Sequence, residues 1–143
     1  MADDIITIRV SYEPEIYRDI EIGASASLSK LAEEIVKSFD FDFDHAFGFY
    51  SKLTGNFYKS PMKFELFADL GEAKDGALSV KKTKVIDAFA KDKTKFLFLF
   101  DYGDEWTFKT ERLSAGAKVA KVKYPRVTNI VGDGPEQYPD MEE

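Results

Sequence analysis

Acid–base chemistry in this chain would depend on one histidine. His45 is the single histidine of the sequence, and no cysteine is present. The lack of cysteine excludes disulfides, thiolate metal sites and a cysteine nucleophile. A hydrolase-type enzyme would therefore use His45 as its general base, with Asp101, Asp104 and Glu136 as acidic partners. These groups would need to lie within about 3 Å of one another or of a shared water.

Alternating aspartates directly before His45 suggest a cation site. They are Asp40, Asp42 and Asp44, and phenylalanines stand between them. An EF-hand loop that began at Asp40 would need glycine at its sixth position and glutamate at its twelfth, where this chain has His45 and Ser51. The specific calcium pattern is therefore missing, although weak cation binding is left open. We expect the aspartates to face water while the aromatic rings pack inward. The rings are Phe39, Phe41 and Phe43.

No other stretch predicts a cofactor or a metal. Gly132-Asp133-Gly134 lacks the Lys-Ser/Thr of a phosphate-binding loop. A zinc site would have to rest almost wholly on carboxylates, which is unusual. We therefore predict that the protein uses no cofactor and no metal.

The strongest predicted strand leads directly into a carboxylate. Lys95–Phe100 is apolar on both faces, which is typical of a central strand covered from both sides. If Gly103-Asp104 forms a two-residue hairpin turn, Asp101 lies opposite Trp106 and shares its apolar face. An unpaired carboxylate is costly there. We predict that Asp101 is buried, accepts at least two hydrogen bonds and anchors the turn.

Two residues are candidates for the cation beside Asp101. Arg18 is the first choice, because it is the lone charge on the apolar side of its predicted strand, and His45 is the second. The structural role in the turn is favoured over a ligand-binding or catalytic role, since desolvated carboxylates are functional in only some cases. The candidate polar cluster is Arg18, His45, Asp101, Asp104, Trp106 and Glu136.

Hydrophobic periodicity and turn residues predict the elements that position this cluster. Strands are predicted at 5–10, 16–22, 46–51, 95–100 and 105–113, and 117–124 is a candidate for a final strand. A helix capped by Ser27 is predicted over 28–39, and a short helix over 85–90. A turn is expected at 53–57 and a loop at 69–84, residues 58–68 are ambiguous, and 136–143 is expected to fray.

This order of elements predicts a single α+β domain over residues 1–143. Its sheet is expected to be mostly antiparallel, with one main helix and one short helix packed on one side. The β-β-α-β start resembles a β-grasp, an analogy of fold that carries no function.

Composition places the chain among ordinary globular domains. Its 143 residues and 44% hydrophobic content are enough for one core. The sequence has no apolar run near the ~18 residues of a membrane span and no N-terminal apolar signal segment. We expect a cytoplasmic monomer that does not contact membranes.

The charge balance argues against binding to nucleic acid. The net charge is −6 at pH 7, whereas phosphate contacts depend on lysine and arginine. Residues 51–100 are nevertheless locally basic, with lysines at Lys81, Lys82, Lys84, Lys91, Lys93 and Lys95. Such lysines normally form a solvated face. Weak nucleic-acid association through them is the least favoured of the functional hypotheses.

The predicted hairpin segment resembles a family signature. Phe100-Asp101-Tyr102-Gly103-Asp104-Glu105-Trp106 is similar to the Y-D-F-G-D-x-W motif of the Ri-plasmid ORF-3-like family. Three further segments agree in order. Residues 16–20 resemble the family's W-R-x-I strand. Residues 28–39, followed by His45 and Phe49, resemble its L-x-x-L-H…F…H-x-F stretch. Residues 124–136 resemble its Y-P…G…P-E tail. The similarity spans residues 16–139.

The resemblance implies an α+β fold that occurs in plasmid, phage and prokaryotic chromosomal proteins and has no established activity. Some relatives carry transposon-passenger or resolvase-like labels, which implies a mobile-element setting. This chain departs from the family after Glu136, where Gln137-Tyr138-Pro139 replaces a segment with Gly-Gly, and at Ala32, where the family's helix has histidine. If the family's polar residues form a site, part of that site is missing. We therefore favour a non-enzymatic binding module, for an unknown protein or small ligand, over the hydrolase.

Overall fold

The computed structural model describes residues 4–72 and 76–138, and its α+β fold is built on one eight-stranded sheet. The strands are β1 (Ile5–Glu13), β2 (Ile16–Gly23), β3 (Phe47–Tyr50), β4 (Lys63–Glu65), β5 (Leu78–Ser79), β6 (Lys95–Phe100), β7 (Trp106–Gly116) and β8 (Arg126–Val131). Their order across the sheet is β5-β4-β3-β6-β7-β1-β2-β8. Neighbouring strands are antiparallel except β4 and β5. The predicted fold class is confirmed.

The main helix, α1, spans Leu28–Ser38 and covers one face of the sheet. It begins where predicted because the Ser27 side chain accepts a hydrogen bond from the Lys30 backbone N–H at 3.0 Å. Two short helices follow, α2 (Leu66–Asp69) and α3 (Val85–Ala88), of which α3 matches the predicted short helix. No helix in the described part of the chain is long and apolar enough to cross a membrane.

Strand β6 lies inside the sheet and is covered on both faces, as predicted. Its phenylalanines Phe96, Phe98 and Phe100 belong to the main core beneath α1. Leu97 and Leu99 join Tyr50 in a smaller cluster on the opposite face. Since successive side chains of a strand point to opposite faces, a continuous apolar run requires burial on both sides.

Strand direction brings four loops together at one end of the sheet. Phe100, the last residue of β6, pairs with both Phe47 and Trp106, and Tyr17 pairs with both Ser11 and Val131. These four loops are 13–15, 39–46, 101–105 and 132–138, and the segment after β4 also begins at this end. We call it the acidic end, because these four loops contain many carboxylates and no lysine or arginine. Their acidic residues are Glu13, Glu15, Asp40, Asp42, Asp44, Asp101, Asp104, Glu105, Asp133 and Glu136.

Two predictions for the C-terminal part of the chain are wrong. The final strand is β8 rather than 117–124. β8 pairs with the outer edge of β2, where Arg126 donates a hydrogen bond to Glu21 at 2.7 Å, and its β-branched residues suit a strand. Fraying of 136–138 is also wrong, because Gln137 is buried against the 39–46 loop. The rest of the predicted frayed tail, 139–143, lies outside the described residues.

The predicted two-residue turn at Gly103-Asp104 is also wrong. Phe100 pairs with Trp106 and Leu99 with Thr107, so residues 101–105 form a longer loop and Asp101 leaves the ladder. The turn expected at 53–57 likewise lies within a longer connection, 51–62, between β3 and β4. In both places the strand pairing, set by packing on both faces, determines where the loop begins.

Candidate functional site

Asp101 is buried at the start of its loop, as predicted, although the hairpin register differs. Its Oδ1 accepts hydrogen bonds from the backbone N–H groups of Gly103 at 3.1 Å and Asp104 at 3.3 Å. Its φ of 69° lies in the left-handed region, which aspartate tolerates because its short side chain bonds locally. The prediction of at least two hydrogen bonds is confirmed, and these bonds hold the 101–105 loop.

His45, rather than Arg18, is the basic side chain beside Asp101. Its Nε2 lies 3.4 Å from Asp101 Oδ2, 3.5 Å from Asp44 Oδ1 and 2.8 Å from the Tyr138 hydroxyl. That hydroxyl donates its proton to Asp44 Oδ2 at 2.9 Å, so its oxygen accepts a hydrogen bond from the protonated Nε2. In the neutral ring Nδ1 then carries the lone pair. The hydrogen bond to Asp44 raises the pKa of Tyr138 to about 12.

Arg18 binds backbone carbonyls instead of Asp101, which corrects our first choice of partner. The side chain is buried, and its Nε donates to Ser38 O at 2.8 Å, at the C-terminus of α1. A cation is favourable there, because the last carbonyls of a helix carry partial negative charge. Its Nη1 donates to the carbonyls of Tyr17, Val131 and Gly132. Arg18 therefore connects α1, β2 and the end of β8.

The remaining nitrogen of Arg18, Nη2, is different. It forms no hydrogen bond or ion pair with residues 4–72 or 76–138. The guanidinium carbon lies 4.5 Å from the centroid of the Phe39 ring. Burial lowers the pKa of Arg18, against the opposing effect of the nearby carboxylates Asp40 and Asp133. Nη2 thus has no acceptor among these residues, and it is accessible to solvent rather than fully buried.

A cleft of about 410 Å³ adjoins this nitrogen. Nη2 lies 3.5 Å from the position that a Cβ on Gly134 would occupy, and both residues line the cleft. The other lining residues are Phe39, Asp40, Asp42, Pro135, Glu136, Gln137 and Tyr138. The cleft therefore combines one buried cation with three exposed carboxylates, those of Asp40, Asp42 and Glu136.

The wall of the cleft is a segment whose importance sequence reasoning missed. Gln137 is 7% exposed, and its side-chain oxygen accepts the Asp42 N–H at 2.7 Å. Its Nε2 donates to Asp42 O at 3.1 Å and to Asp44 Oδ1 at 3.2 Å. This side chain holds the C-terminal segment against the aspartate run. No sequence signal marks Gln137, since it follows glycine and proline in a stretch that looked irregular.

The aspartate run only partly follows its predicted pattern. All three aspartates are exposed, and Phe39 and Phe41 are buried. Phe43 is 39% exposed, which corrects the prediction for that ring. It stacks on Phe100 with centroids 6.2 Å apart, because the sheet ends there and its ring covers the edge. In the described part of the chain no group of three or more His, Asp or Glu could hold a metal ion.

The other members of the predicted cluster are divided. Asp104 is exposed and supplies its backbone N–H to Asp101, whereas Glu136 lines the cleft. Neither forms a described hydrogen bond or ion pair with His45. Trp106 packs edge-on against Phe41 at 5.0 Å. Its indole Nε1 is buried and has no hydrogen-bond partner in the described residues, at a cost of about 1–3 kcal/mol.

A family model described as plasmid pRiA4b ORF-3-like protein matches residues 5–139, nearly the whole chain. The chain belongs to the plasmid pRiA4b ORF-3-like family. Its sequence has no match among curated proteins. A similar solved structure is a protein of unknown function, MM3350, from Methanosarcina mazei Go1, with a TM-score of 0.71 and 22% identity. The alignment covers 94% of this chain and 74% of that chain, and at this identity the likeness shows the fold alone.

In this plasmid pRiA4b ORF-3-like protein, the four segments that carry the family signature meet at the acidic end. The first supplies Arg18 from β2, and the second supplies Phe39 and His45 at and beyond the end of α1. The third is the loop of Asp101, and the fourth includes Gly134 in the cleft wall. The signature residues are therefore neighbours in space although they are distant in sequence.

Proposed function

We propose that the domain is a non-enzymatic binding module and that the cleft beside Arg18 is its ligand site. The observation that carries this proposal is the buried guanidinium, whose Nη2 has no acceptor among the described residues and adjoins the cleft. A buried charge normally has a full set of partners, because desolvation is costly. The carbonyls bound by Nε and Nη1 meet part of that requirement and leave Nη2 for a ligand.

The charges of the cleft favour a small zwitterionic ligand. A ligand carboxylate would accept a charge-assisted hydrogen bond from Nη2. The exposed carboxylates of Asp40, Asp42 and Glu136 would attract a protonated amine. A simple anion fits less well, since the acidic end as a whole would repel it. An α-amino acid carries both groups, and a cleft of about 410 Å³ is within the usual size of small-molecule sites.

Isothermal titration calorimetry with free amino acids tests this proposal. For any amino acid that binds, the matched amine without the carboxylate and the matched acid without the amine are the controls. We expect each control to bind at least about tenfold more weakly, which corresponds to about 1.4 kcal/mol. The proposal fails if no amino acid binds, or if the three compounds bind equally well.

Gly134→Ala is the blocking variant for the same experiment. The added Cβ would lie 3.5 Å from Arg18 Nη2 and 2.9 Å from Phe39 Cδ1, so it narrows the approach to the nitrogen. Gly23→Ala is the matched control, because a Cβ at Gly23 meets no atom within 4 Å. We expect ligand binding to be lost in Gly134→Ala and kept in Gly23→Ala. Glu136→Gln should weaken binding of the amino acid but not of the deaminated acid.

A hydrolase is the second candidate, favoured by the contact of His45 with Asp101 at 3.4 Å. With Nε2 donating to Tyr138, Nδ1 would act as the base on a water molecule. Of the three predicted acidic partners, only Asp101 lies beside the ring, and Tyr138 and Asp44 would help to orient it. Assays with p-nitrophenyl esters and phosphates would decide. Turnover by the wild type that His45→Asn abolishes would replace the binding module with the hydrolase.

A further inference from the structure

The end of the sheet opposite the acidic end carries the opposite charge. Ile5, the first residue of β1, pairs with both Gly23 and Gly116, and Glu21 pairs with Arg126. Lys95, at the start of β6, pairs with Glu111. The ends of β2 and β7 and the starts of β1, β6 and β8 therefore coincide. As a result, the loops 84–95 and 116–126, which are distant in sequence, lie at one end of the fold.

We call this the basic end. Its basic residues are Lys84, Lys91, Lys93, Lys95, Lys118, Lys121, Lys123 and Arg126, all of them exposed. Two of the nearby carboxylates are already occupied, Asp92 by Arg112 and Glu21 by Arg126. None of the seven lysines forms an ion pair within residues 4–72 and 76–138. Their charge is therefore available to a ligand.

The basic end also contains a cleft of about 850 Å³. Its charged lining residues are Lys118, Lys123 and Asp4, and Ser25 and Tyr124 lie in the same lining. The first loop borders the same region, because Lys84 forms a β-bridge with Ser27. Two of the seven lysines therefore line a concave surface, and Lys84 borders it.

We propose that the basic end binds nucleic acid through its phosphate backbone, without reading the bases. The net charge of −6 does not prevent this, because the charges are separated along the strands. β1 has 9 residues and is therefore about 30 Å long at about 3.3 Å per residue. The Debye length is about 10 Å at 0.1 M salt, so the acidic end is largely screened from a ligand at the basic end.

Nucleic acid is a better partner for this surface than the acidic end of a second copy. Duplex DNA presents one negative charge per about 1.7 Å of helix axis, whereas the acidic end presents a small set of carboxylates. Two of these, Asp44 and Asp101, are already engaged by Tyr138 and His45. The proposal is independent of the Arg18 cleft, which lies at the other end of the sheet.

Fluorescence anisotropy with a labelled 20-base-pair DNA duplex of arbitrary sequence tests the proposal. Three phosphate contacts would weaken binding about 40-fold between 50 and 200 mM NaCl, since the slope is about −0.9 per contact. Lys118→Ala/Lys123→Ala should reduce both the affinity and this slope. Lys37→Ala/Lys109→Ala changes the net charge equally but lies away from the basic end, and we expect it to bind like the wild type. Gly134→Ala should also bind DNA normally.

Several results would overturn the proposal. The absence of DNA binding at 50 mM NaCl would do so. Equal losses of DNA affinity in the two lysine double variants would also do so, because they would indicate a response to net charge alone. Binding to anionic phospholipid vesicles without binding to DNA would assign the surface to a membrane instead. Self-association in sedimentation velocity that Lys118→Ala/Lys123→Ala abolishes would assign it to a second copy. If DNA binding fails, the proposed amino-acid site is unaffected. Gly134→Ala tests that site separately, because it should abolish amino-acid binding and leave DNA binding unchanged.

Discussion

Removing the Asp101 carboxylate should destabilise the domain through its loop. Asp101→Ala loses two hydrogen bonds from backbone N–H groups, each worth about 0.5–1.5 kcal/mol here because Gly103 and Asp104 are exposed to water. It also places alanine at a φ of 69°, which costs about 1 kcal/mol more than aspartate does. We expect a total loss of about 2–4 kcal/mol. Breaking a buried ion pair would cost about 3–5 kcal/mol, but the His45 side chain is 38% exposed.

A set of variants at this position separates the two contributions. Asp101→Gly removes the acceptor without backbone strain and should cost about 1–3 kcal/mol. Asp101→Asn keeps an acceptor oxygen and tolerates positive φ, so its cost should stay below about 1 kcal/mol. Asp104→Ala is the control, because its side chain forms no described hydrogen bond and it uses only its backbone N–H. It should cost less than about 0.5 kcal/mol.

Urea unfolding measures these differences, with the midpoint and slope giving the free energy of unfolding. Trp106 is the single tryptophan and borders the loop, so its fluorescence reports on this region and far-UV circular dichroism reports on the whole domain. Equal, small losses for Asp101→Ala and Asp104→Ala would refute the anchoring role. Equal losses of stability for Asp101→Ala and Asp101→Gly would refute only the contribution assigned to the left-handed backbone conformation, and the hydrogen-bond contribution would stand.

Three further predictions concern stability. Arg18→Met leaves four carbonyls without their donor and should cost about 3 kcal/mol or more in urea melts. Arg126→Met, at an exposed ion pair, should cost less than about 1 kcal/mol. Equal costs for the two variants would contradict the connecting role of Arg18. Burial, with a hydrogen bond to Glu105, raises the pKa of Tyr58 to about 12. Since the native state then holds a proton that the unfolded chain releases near about pH 10, stability should fall between pH 10 and 12. In Tyr58→Phe this fall should be smaller, and the late change in absorbance at 295 nm should decrease by the contribution of one tyrosine, because the pKa of Tyr138 is also raised. Gly48→Ala brings a Cβ within 2.7 Å of the Tyr102 hydroxyl and should cost about 1–3 kcal/mol of stability. Adding Tyr102→Phe in the double variant should restore part of that loss. Strictly additive losses would show that the hydroxyl is not the obstacle.

Local patterns in the sequence were enough to predict the elements that depend on neighbouring residues. α1 follows from Ser27 and the spacing of Leu28, Leu31 and Ile35. The two-sided burial of β6 follows from its continuous apolar run. The burial of Asp101 was also predictable, since it directly follows that strand. The signature around Asp101 and Trp106 predicted the family, which the match over residues 5–139 confirms.

Tertiary pairing decided the rest, because it joins residues whose interaction leaves no local pattern. The register of β6 with β7 moved Asp101 out of the ladder and into a loop, where His45 rather than Arg18 reaches it. The free edge of β2 selected β8 over the segment 117–124. Antiparallel pairing also gathered the acidic loops at one end of the sheet and most of the exposed lysines at the other. A net charge summed along the chain contains no information about that separation, since the direction of each strand determines which loops meet.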